Sequence, residues 1–309
     1  MSHPAYLWLN GEVVPWESAT IHIVDARELS SVSSVFEGVR AYWNAEREQL
    51  YIFRLQDHLR RLLGSMKVLR MASPFSVEAL AQATVTLVRQ NEQREDLYIR
   101  PVATVAPAPR ALGTPADTRN IEMLISAAPS PSSLGEDRQR HVGVSSWNRI
   151  SDNSLPPRIK SNANYLASTL VSMQTRADGY DSAIILNTDG KVSEGPWACV
   201  FLVRDGRLIT STVTSNILES ITRLTVIQLA RDGLGLTVEE RAVDRTELYL
   251  ADEVFFCGTG VELTPIVSVD RYPVGDGTVG PLTARLRALY HAVVRGQESA
   301  YQDWLTPVY

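Results

Sequence analysis

The segment SLPPRIKSNANYLASTL, residues 154–170, contains one of three lysines in a chain that has 27 arginines. Lys160 follows a Pro-Pro turn and precedes an amphipathic run. Most lysines are exposed surface residues, but a lysine near the start of a helix is electrostatically unfavourable. A lysine that forms an imine needs a fixed, partly desolvated position. The segment alone leaves both explanations of Lys160 open.

Length and composition indicate a globular chain of two domains. The 309 residues are 44% hydrophobic and carry a net charge of −5, which argues against nucleic acid as a partner. We expect no membrane span, because no apolar run approaches the roughly 20 residues that a span requires. Two cysteines and the lack of an export signal favour the cytoplasm and give no metal-ligand spacing.

The N-terminal part predicts a small α/β domain over residues 1–128. Asn10-Gly11 between two apolar segments indicates a hairpin. Two helices are indicated by an apolar face at Leu55, Leu59, Leu62, Met66 and Leu69, and by the run that opens at Ser76. The extended runs LYIRPVATVA and IEMLISAA follow. The segment PSPSSLGED, residues 129–137, is predicted to be the interdomain linker.

The remainder, residues 138–309, is predicted to be a larger domain with more strand. SAIILNTDGKVSEG and CVFLVRDGRLIT carry Asp-Gly turns between apolar segments, which is typical of hairpins. SITRLTVIQLARDGLG is predicted to be a helix capped by Ser220, and EVFFCGTGVELTPI a buried strand that enters a turn. Strands and helices do not alternate strictly, so we expect an α/β or α+β fold with mixed sheets.

Three further segments offer groups suited to an anionic ligand. SITR at a helix N-terminus presents backbone N–H groups and a hydroxyl, which suit phosphate, although an ordinary N-cap explains it equally well. CGTG after a buried strand can form a second set of N–H donors. Glu194 in VSEGPW is a carboxylate in a turn, and solvation is its simple explanation. Each signal is weak when it is taken alone.

Taken in order, the motifs resemble one family, the branched-chain amino acid aminotransferases of the class IV pyridoxal-phosphate (PLP) enzymes. The resemblance covers nearly the whole chain, from LNGEVVPWESATIHIVD through SVFEGVRAY, DHLRRL, YIRP, SSWNR, KSNANYLAS, SEG and ITR to RTELYLADEVFFCGTGVELTPI. It implies the two-domain, D-amino acid aminotransferase-like fold of fold type IV enzymes, with a site between the domains.

The resemblance assigns roles around the cofactor. Lys160 would carry PLP covalently and move a proton between the substrate and the cofactor, while Glu194 would pair with the pyridine nitrogen. Tyr165 would hydrogen-bond the phenolic oxygen. Arg61 would bind the phosphate, with Arg60 as the alternative in register. Further phosphate contacts are implied for Ile221, Thr222 and Thr259.

It also assigns a substrate side. The Thr259-Gly260 turn would present N–H groups to the substrate carboxylate. The side chains and backbone that would line the pocket from the small domain are Phe36, Gly38, Tyr98 and Arg100.

Departures from the family pattern fall mainly in this pocket. Ser31, Ser130 and Ser133 stand where the resemblance leads us to expect a tyrosine, a tryptophan and a tyrosine. Each lost ring represents ~150–250 Å² of buried surface, so we expect a wider or more polar pocket. Trp197 and Trp147 could fill part of it. A different alignment of this segment, or groups from a partner chain, is the alternative.

Two departures touch the cofactor side. Cys199 replaces an expected asparagine, and Glu219 precedes the helix that is predicted to hold the phosphate. If the carboxylate of Glu219 faced the phosphate it would weaken binding, so we expect it to point away.

The implied activity is amino transfer between an amino acid and a 2-oxo acid in two half-reactions, with glutamate and 2-oxoglutarate as the expected pair and a homodimer as the expected assembly. Three alternatives remain open. They are a D-amino acid or (R)-amine transaminase, a PLP lyase of the 4-amino-4-deoxychorismate lyase kind, and a non-catalytic relative.

Overall fold

The computed structural model describes residues 3–20, 34–105, 121–136 and 138–309. The chain forms two compact units. The first unit comprises the described residues within Met1–Pro131, Ile159–Ala163 and Val294–Tyr309, and the second comprises those within Ser132–Arg158 and Asn164–Val293. Among the described residues, no helix has both the length and the apolar character that crossing a bilayer requires.

The first unit contains an eight-stranded sheet in which every described pair of strands is antiparallel. Its strands are β1 (Tyr6–Leu9), β2 (Glu12–Pro15), β3 (Ser34–Phe36), β4 (Val39–Asn44), β5 (Gln49–Phe53), β6 (Leu97–Val105), β7 (Ile121–Pro129) and β16 (Leu305–Pro307). The order is β16-β5-β4-β6-β7-β1-β2, and β3 pairs with β6. Short 3₁₀ helices lie at Trp16–Ser18 and Ser299–Trp304.

Local sequence signals account for the elements of the first unit. Asn10 and Gly11 both have positive φ, 49° and 116°, as the tight turn between β1 and β2 requires. The helices are α1 (Leu55–Val68) and α2 (Val77–Gln90). Ser76 caps α2 by accepting from Ala79 N at 3.2 Å. The predicted apolar face of α1 is buried in the core, except that Leu69, just beyond the helix, is only partly buried.

The second unit contains a mixed sheet, as predicted. Its strands are β8 (Arg140–Asn148), β9 (Ser182–Leu186), β10 (Cys199–Arg204), β11 (Arg207–Thr210), β12 (Val238–Glu240), β13 (Glu253–Gly258), β14 (Glu262–Val269) and β15 (Tyr272–Pro273). The order is β12-β11-β10-β13-β14-β8-β9, with β15 on β14. The pairs β11·β12, β14·β8 and β8·β9 are parallel.

The helices of this unit are α3 (Tyr165–Ala177), α4 (Ile221–Gln228) and α5 (Pro281–Val294). A π-helical turn, Leu229–Gly233, continues α4, and 3₁₀ helices lie at Asn162–Asn164 and Arg245–Tyr249. Asp205 and Gly206, at φ 51° and 70°, form the predicted turn between β10 and β11. The other predicted hairpin is reduced to an isolated bridge after β9, where Asn187 Oδ1 accepts from the backbone N of Asp189 and Lys191.

The two units interleave along the chain, which the predicted boundaries do not reproduce. Residues 159–163 belong to the first unit because Ser161 bridges Val35 at β3. The C-terminal segment joins it because β16 pairs with β5. Within the predicted linker, residues 132–136 are part of the second unit.

Candidate active site

The backbone around Lys160 is fixed along β3 of the first unit. Phe36 N donates to Lys160 O at 3.0 Å, and Asn162 Nδ2 donates to Ser34 Oγ at 2.6 Å. On the other side, Lys160 N donates to Ser65 Oγ on α1 at 3.2 Å. Lys160 therefore occupies a position held by hydrogen bonds from two elements, which is the requirement for an imine-forming lysine.

The Lys160 side chain is half-buried against an aromatic ring. Its Nζ lies 4.8 Å from the centroid of the Phe36 ring. The guanidinium carbon of Arg100 lies 4.7 Å from the same centroid. The ring attracts each cation through its quadrupole. Three of the predicted site residues thus meet at Phe36, and Lys160 is not an ordinary exposed lysine.

Gly38 and Tyr98 are in intimate contact. A Cβ built on Gly38 would lie 1.9 Å from Tyr98 Oη and 2.6 Å from Cζ, well inside van der Waals contact. The phenol therefore rests on bare backbone at the end of β3. Glycine is required here because of this close approach and not because of its φ angle.

Arg61 belongs to a buried charge cluster with Glu37 and His58. Its Nε and Nη2 donate to Glu37 Oε1 and Oε2 at 2.6 and 2.8 Å, and His58 Nδ1 lies 2.8 Å from Glu37 Oε2. Arg60, the alternative in register, is exposed and pairs with Asp57 on the same helix. The bidentate contact fixes the plane of the Arg61 guanidinium, which supports Arg61 as the predicted phosphate ligand.

The cluster holds its two titratable members away from their ordinary pKa values. Burial raises the pKa of Glu37, but the charge and hydrogen bonds of Arg61, with those of His58, outweigh it and lower the pKa to about 2. Burial lowers the pKa of His58, helped by Arg61 and Lys160 and opposed by Glu37. Sequence reasoning missed both roles, although the motifs VFEG and DHLRRL contain these residues.

In the second unit, Glu194 is buried and its carboxylate is held on both oxygens. Arg149 Nη2 lies 2.7 Å from Oε1, and both side chains are 7% exposed. Leu218 N donates to Oε2 at 3.1 Å, and the Cys199 thiol lies 3.9 Å from the same oxygen. A fixed, buried carboxylate of this kind is suited to a cationic N–H partner and is not a solvated turn residue. Arg149 was missed from the sequence, although SSWNR was noted.

Tyr165, the first residue of α3, stacks on Trp197. The ring centroids are 5.1 Å apart and the planes differ by 15°. Trp197 Nε1 donates to Ser172 Oγ at 3.3 Å on the same helix. The indole therefore restricts the orientation of the phenol that is predicted to bind the cofactor.

Ile221 and Thr222 form the first turn of α4 and are buried. Ser220 Oγ accepts from Arg223 N at 3.2 Å and caps the helix. Glu219 is exposed and forms an ion pair with Arg158. Its carboxylate is thus engaged on the surface, which agrees with the expectation that it turns away.

The Thr259-Gly260 turn joins β13 to β14, with Gly258 opposite Glu262 in the register. Thr259 is half-buried and Gly260 is exposed. Ser133 is buried, and its hydroxyl donates to Glu262 Oε2 at 2.9 Å. Ser31 lies outside the described residues. Among the residues that the structure describes, no group of three or more His, Cys, Asp or Glu side chains could hold a metal ion.

A family model described as amino-transferase class IV matches residues 34–269. The probable branched-chain-amino-acid aminotransferase of Aquifex aeolicus (strain VF5) is 40% identical, over 98% of this chain and 97% of that protein. The crystal structure of a branched-chain amino acid aminotransferase from Thermobaculum terrenum in its PLP form is 51% identical, with a TM-score of 0.96 and full coverage of both chains.

A third similar structure is the branched-chain amino acid aminotransferase from T.th., complexed with N-(5'-phosphopyridoxyl)-L-glutamate. It is 38% identical, covers 99% of each chain and has a TM-score of 0.90. The family match spans most of the chain, and it includes both the hydrogen-bonded Lys160 and the buried Glu194. The chain belongs to the class IV aminotransferases.

Proposed function

We propose that the protein is a PLP-dependent aminotransferase of the branched-chain type, which moves an amino group between an amino acid and a 2-oxo acid. The observation that carries the proposal is the half-buried Lys160 amine over Phe36, on a backbone hydrogen-bonded to β3 and α1. A surface lysine has no need of such support. The similarity to PLP-form and branched-chain enzymes supports both the cofactor and the reaction class.

The donor set fits the chemical groups of PLP. Glu194 offers a buried carboxylate for a protonated ring nitrogen, and Tyr165 a phenol for the ring oxygen. The phosphate would be held by Arg61, by the N–H groups and hydroxyl of Ile221 and Thr222 at a helix N-terminus, and by Thr259. When bound, PLP supplies the electron sink that makes the substrate Cα–H acidic.

Lys160 would do the proton work. Its amine forms the covalent link to the cofactor, and once released it takes the proton from the substrate Cα and returns it to the cofactor carbon. The Phe36 ring and the hydrogen-bonded backbone restrict where Nζ can reach. Proton transfer needs this restriction, because donor and acceptor must approach to about 2.6–3.2 Å.

Glu194 would set the polarity of the ring. A carboxylate that is held by Arg149 and by the Leu218 N–H cannot rotate away, so it presents a fixed acceptor to the ring nitrogen. The buried setting strengthens this hydrogen bond relative to one in water.

The substrates would be a branched-chain amino acid and glutamate, with their 2-oxo acids. The curated relatives support the first, and the glutamate adduct bound by the T.th. enzyme supports the second. We retain the proposal of a pocket that is wider or more polar than usual, on the three serines that stand at expected aromatic positions. No structural observation favours the lyase, D-amino acid or (R)-amine alternatives.

A half-reaction screen tests the proposal. The protein is purified with PLP, and its visible absorption is followed while single amino acids and amines are added. Bleaching by L-leucine and by L-glutamate is the expected result. Bleaching only by a larger, more polar or opposite-handed amine would keep the cofactor and overturn the substrate assignment. A protein that stays colourless with added PLP would overturn the whole proposal.

We also propose a homodimer. One face of α3 leaves three apolar side chains in solvent, with Leu166 67% and Met173 64% exposed and Leu170 between them. Apolar surface in contiguous patches commonly marks an interface. Light scattering should give twice the chain mass, and the double variant Leu166→Asp, Met173→Asp should give the monomer. A monomeric parent protein would contradict the proposal.

Location in the cytoplasm is proposed on the same footing. Cys199 and Cys257 face each other in the register of β10 and β13, and both are free thiols. A reducing compartment keeps such a pair as thiols. Fractionation of the source cells tests the location, and recovery outside the cytoplasmic fraction would contradict it.

A further inference from the structure

Glu262 combines three features that are unusual for a glutamate. It is fully buried, it has a left-handed backbone at φ 53°, and it is the first residue of β14 directly after the Thr259-Gly260-Val261 turn. In a three-residue hairpin loop the left-handed position normally takes glycine. A glutamate that is kept there at a conformational cost indicates a task for its side chain.

The carboxylate of Glu262 is held by two consecutive serines from a segment about 130 positions earlier in the chain. Ser132 Oγ donates to Oε1 at 2.7 Å. Ser133 donates to Oε2 twice, from its backbone N at 2.7 Å and from its Oγ at 2.9 Å. A buried carboxylate needs such donors, because desolvation without them is costly.

The serine segment is itself held in place. Arg287 Nη2 on α5 donates to the carbonyl oxygens of Leu134 and Glu136 at 3.1 and 2.8 Å, with a longer contact of 3.4 Å to that of Ser133. The hydroxyls that hold Glu262 therefore belong to a fixed part of the second unit. They act as an external brace on the turn.

The turn is also closed from within. Thr264 Oγ1 donates to Val261 O at 2.6 Å, and Gly258 lies so near the backbone of Trp197 that a Cβ on it would come within 3.1 Å of Trp197 O. The turn is thus fixed at Gly258 and Val261, and the brace fixes its last point at Glu262. Gly260 at the tip has open space around it.

We propose that Ser132, Ser133 and Glu262 form a carboxylate brace that sets the Thr259-Gly260 turn in the conformation that receives the substrate's carboxylate. The inference rests on the proposed function, which gives that turn its role. It changes the role of Ser133 from a residue that widens the side-chain pocket to one that positions the turn. Ser132, which the sequence did not single out, becomes a positioning residue as well.

The brace and the wider pocket predict different specificity effects. All amino acids and 2-oxo acids share the carboxylate, so loss of the brace raises KM for every substrate by a similar factor and leaves kcat less affected. If Ser133 lined the side-chain pocket instead, its loss would change the preference between leucine and glutamate.

A binding experiment on the PLP-loaded enzyme isolates the carboxylate. The probes are 4-methylpentanoate, which has the leucine skeleton without its amino group, and 4-methylpentanamide, its uncharged analogue. Binding is followed through the cofactor absorbance. For the double variant Ser132→Ala, Ser133→Ala we expect about tenfold weaker binding of the pentanoate, since two hydrogen bonds to a charged group are lost, and unchanged binding of the amide.

Glu262→Gly is the second variant. Glycine favours the left-handed backbone, so the turn keeps its preferred local geometry while the brace is removed, and we expect the same loss for the pentanoate. The matched control is Thr278→Ala, which removes a hydroxyl-to-carboxylate bond of 2.6 Å to Asp276 in the same unit. It should leave both affinities at the parent values.

The outcomes separate the inference from the proposed function. A parent enzyme that binds the pentanoate, with unchanged affinity in both brace variants, overturns the brace alone. Equal loss of pentanoate and amide in the variants also overturns it, because the effect would not be specific to the carboxylate. A parent enzyme that binds neither probe and does not react with leucine overturns the proposed function, and the brace with it.

Discussion

Arg149 and Glu194 form an ion pair of 2.7 Å in which each side chain is 7% exposed. Burial of both charges is costly, and the mutual attraction offsets that cost only while both partners are present. The pair therefore makes the position of Glu194 depend on Arg149, a residue that has no predicted contact with the cofactor. The first prediction follows from this dependence.

Replacement of Arg149 by Met should leave Glu194 as an uncompensated buried charge. We expect the free energy of unfolding of the cofactor-free protein to fall by about 3–5 kcal/mol, and the affinity for PLP to fall with it. Urea denaturation and absorbance titration with PLP measure the two effects. The control is Lys191→Met, which breaks an exposed pair with Asp244 and should change neither. Equal stability of the parent and Arg149→Met would refute the account of this pair.

Acid should destabilise the first unit through Glu37 and His58. The folded pKa of each lies below its ordinary value, so in both cases the unfolded chain binds the proton first as the pH falls. The contribution of His58 is lost as the pH falls below 6.5. That of Glu37 is complete above 4.5 and is lost as the pH falls towards about 2, a difference that corresponds to about 3 kcal/mol.

Unfolding free energies measured at a series of pH values test this linkage. His58→Asn should flatten the slope just below pH 6.5, and Glu37→Gln should flatten it below pH 4.5. The Glu37 variant should also be less stable at pH 7, because Arg61 loses its partner. Slopes that match the parent in both variants would show that the cluster is not linked to acid unfolding.

Gly38→Ala should destabilise the protein through Tyr98. The added Cβ would lie 1.9 Å from Tyr98 Oη, so the phenol must move. We expect a loss of about 1–3 kcal/mol, as for overpacking in general. A double-mutant cycle with Tyr98→Ala measures the coupling. If Gly38→Ala costs the same in the Tyr98→Ala background, the contact is not the cause.

Trp197→Ala should weaken PLP binding by freeing the Tyr165 ring. An aromatic pair contributes about 0.5–1.5 kcal/mol beyond its burial, which corresponds to a loss of roughly two- to tenfold in affinity. Trp197→Phe should retain most of the affinity. The dissociation constant is read from the absorbance of bound PLP. Trp16→Ala, which removes an indole of the first unit that stacks on His3, is the control. An affinity of Trp197→Ala equal to that of the control would exclude a role for the stack.

Much of the fold is readable from local signals in the sequence. The Asn10-Gly11 and Asp205-Gly206 turns, the Ser76 and Ser220 caps and the apolar face of α1 depend on residues close together in the chain. Pairings between distant residues were not readable. No local pattern indicates that β16 joins β5, or that Ser161 bridges Val35.

The same division applies to the candidate site. Lys160, Glu194 and Tyr165 were identified because the family resemblance marks them in short motifs. Their supporting residues were missed, because Arg149, Trp197 and Ser132 act through contacts with segments that are remote in the chain or outside those motifs. The role of Ser133 was misjudged for a related reason, since its partner Glu262 lies at the far end of the second unit's sequence.

Covalent trapping at Lys160 tests the central claim most directly. The PLP-loaded protein is reduced with borohydride and digested, and the peptides are examined by mass spectrometry. The chain has three lysines, Lys67, Lys160 and Lys191, so the assignment is unambiguous. The account predicts that the reduced cofactor is on Lys160 alone and that Lys160→Ala carries none. Reduced cofactor on Lys67 or Lys191, or none on the parent protein, would contradict it.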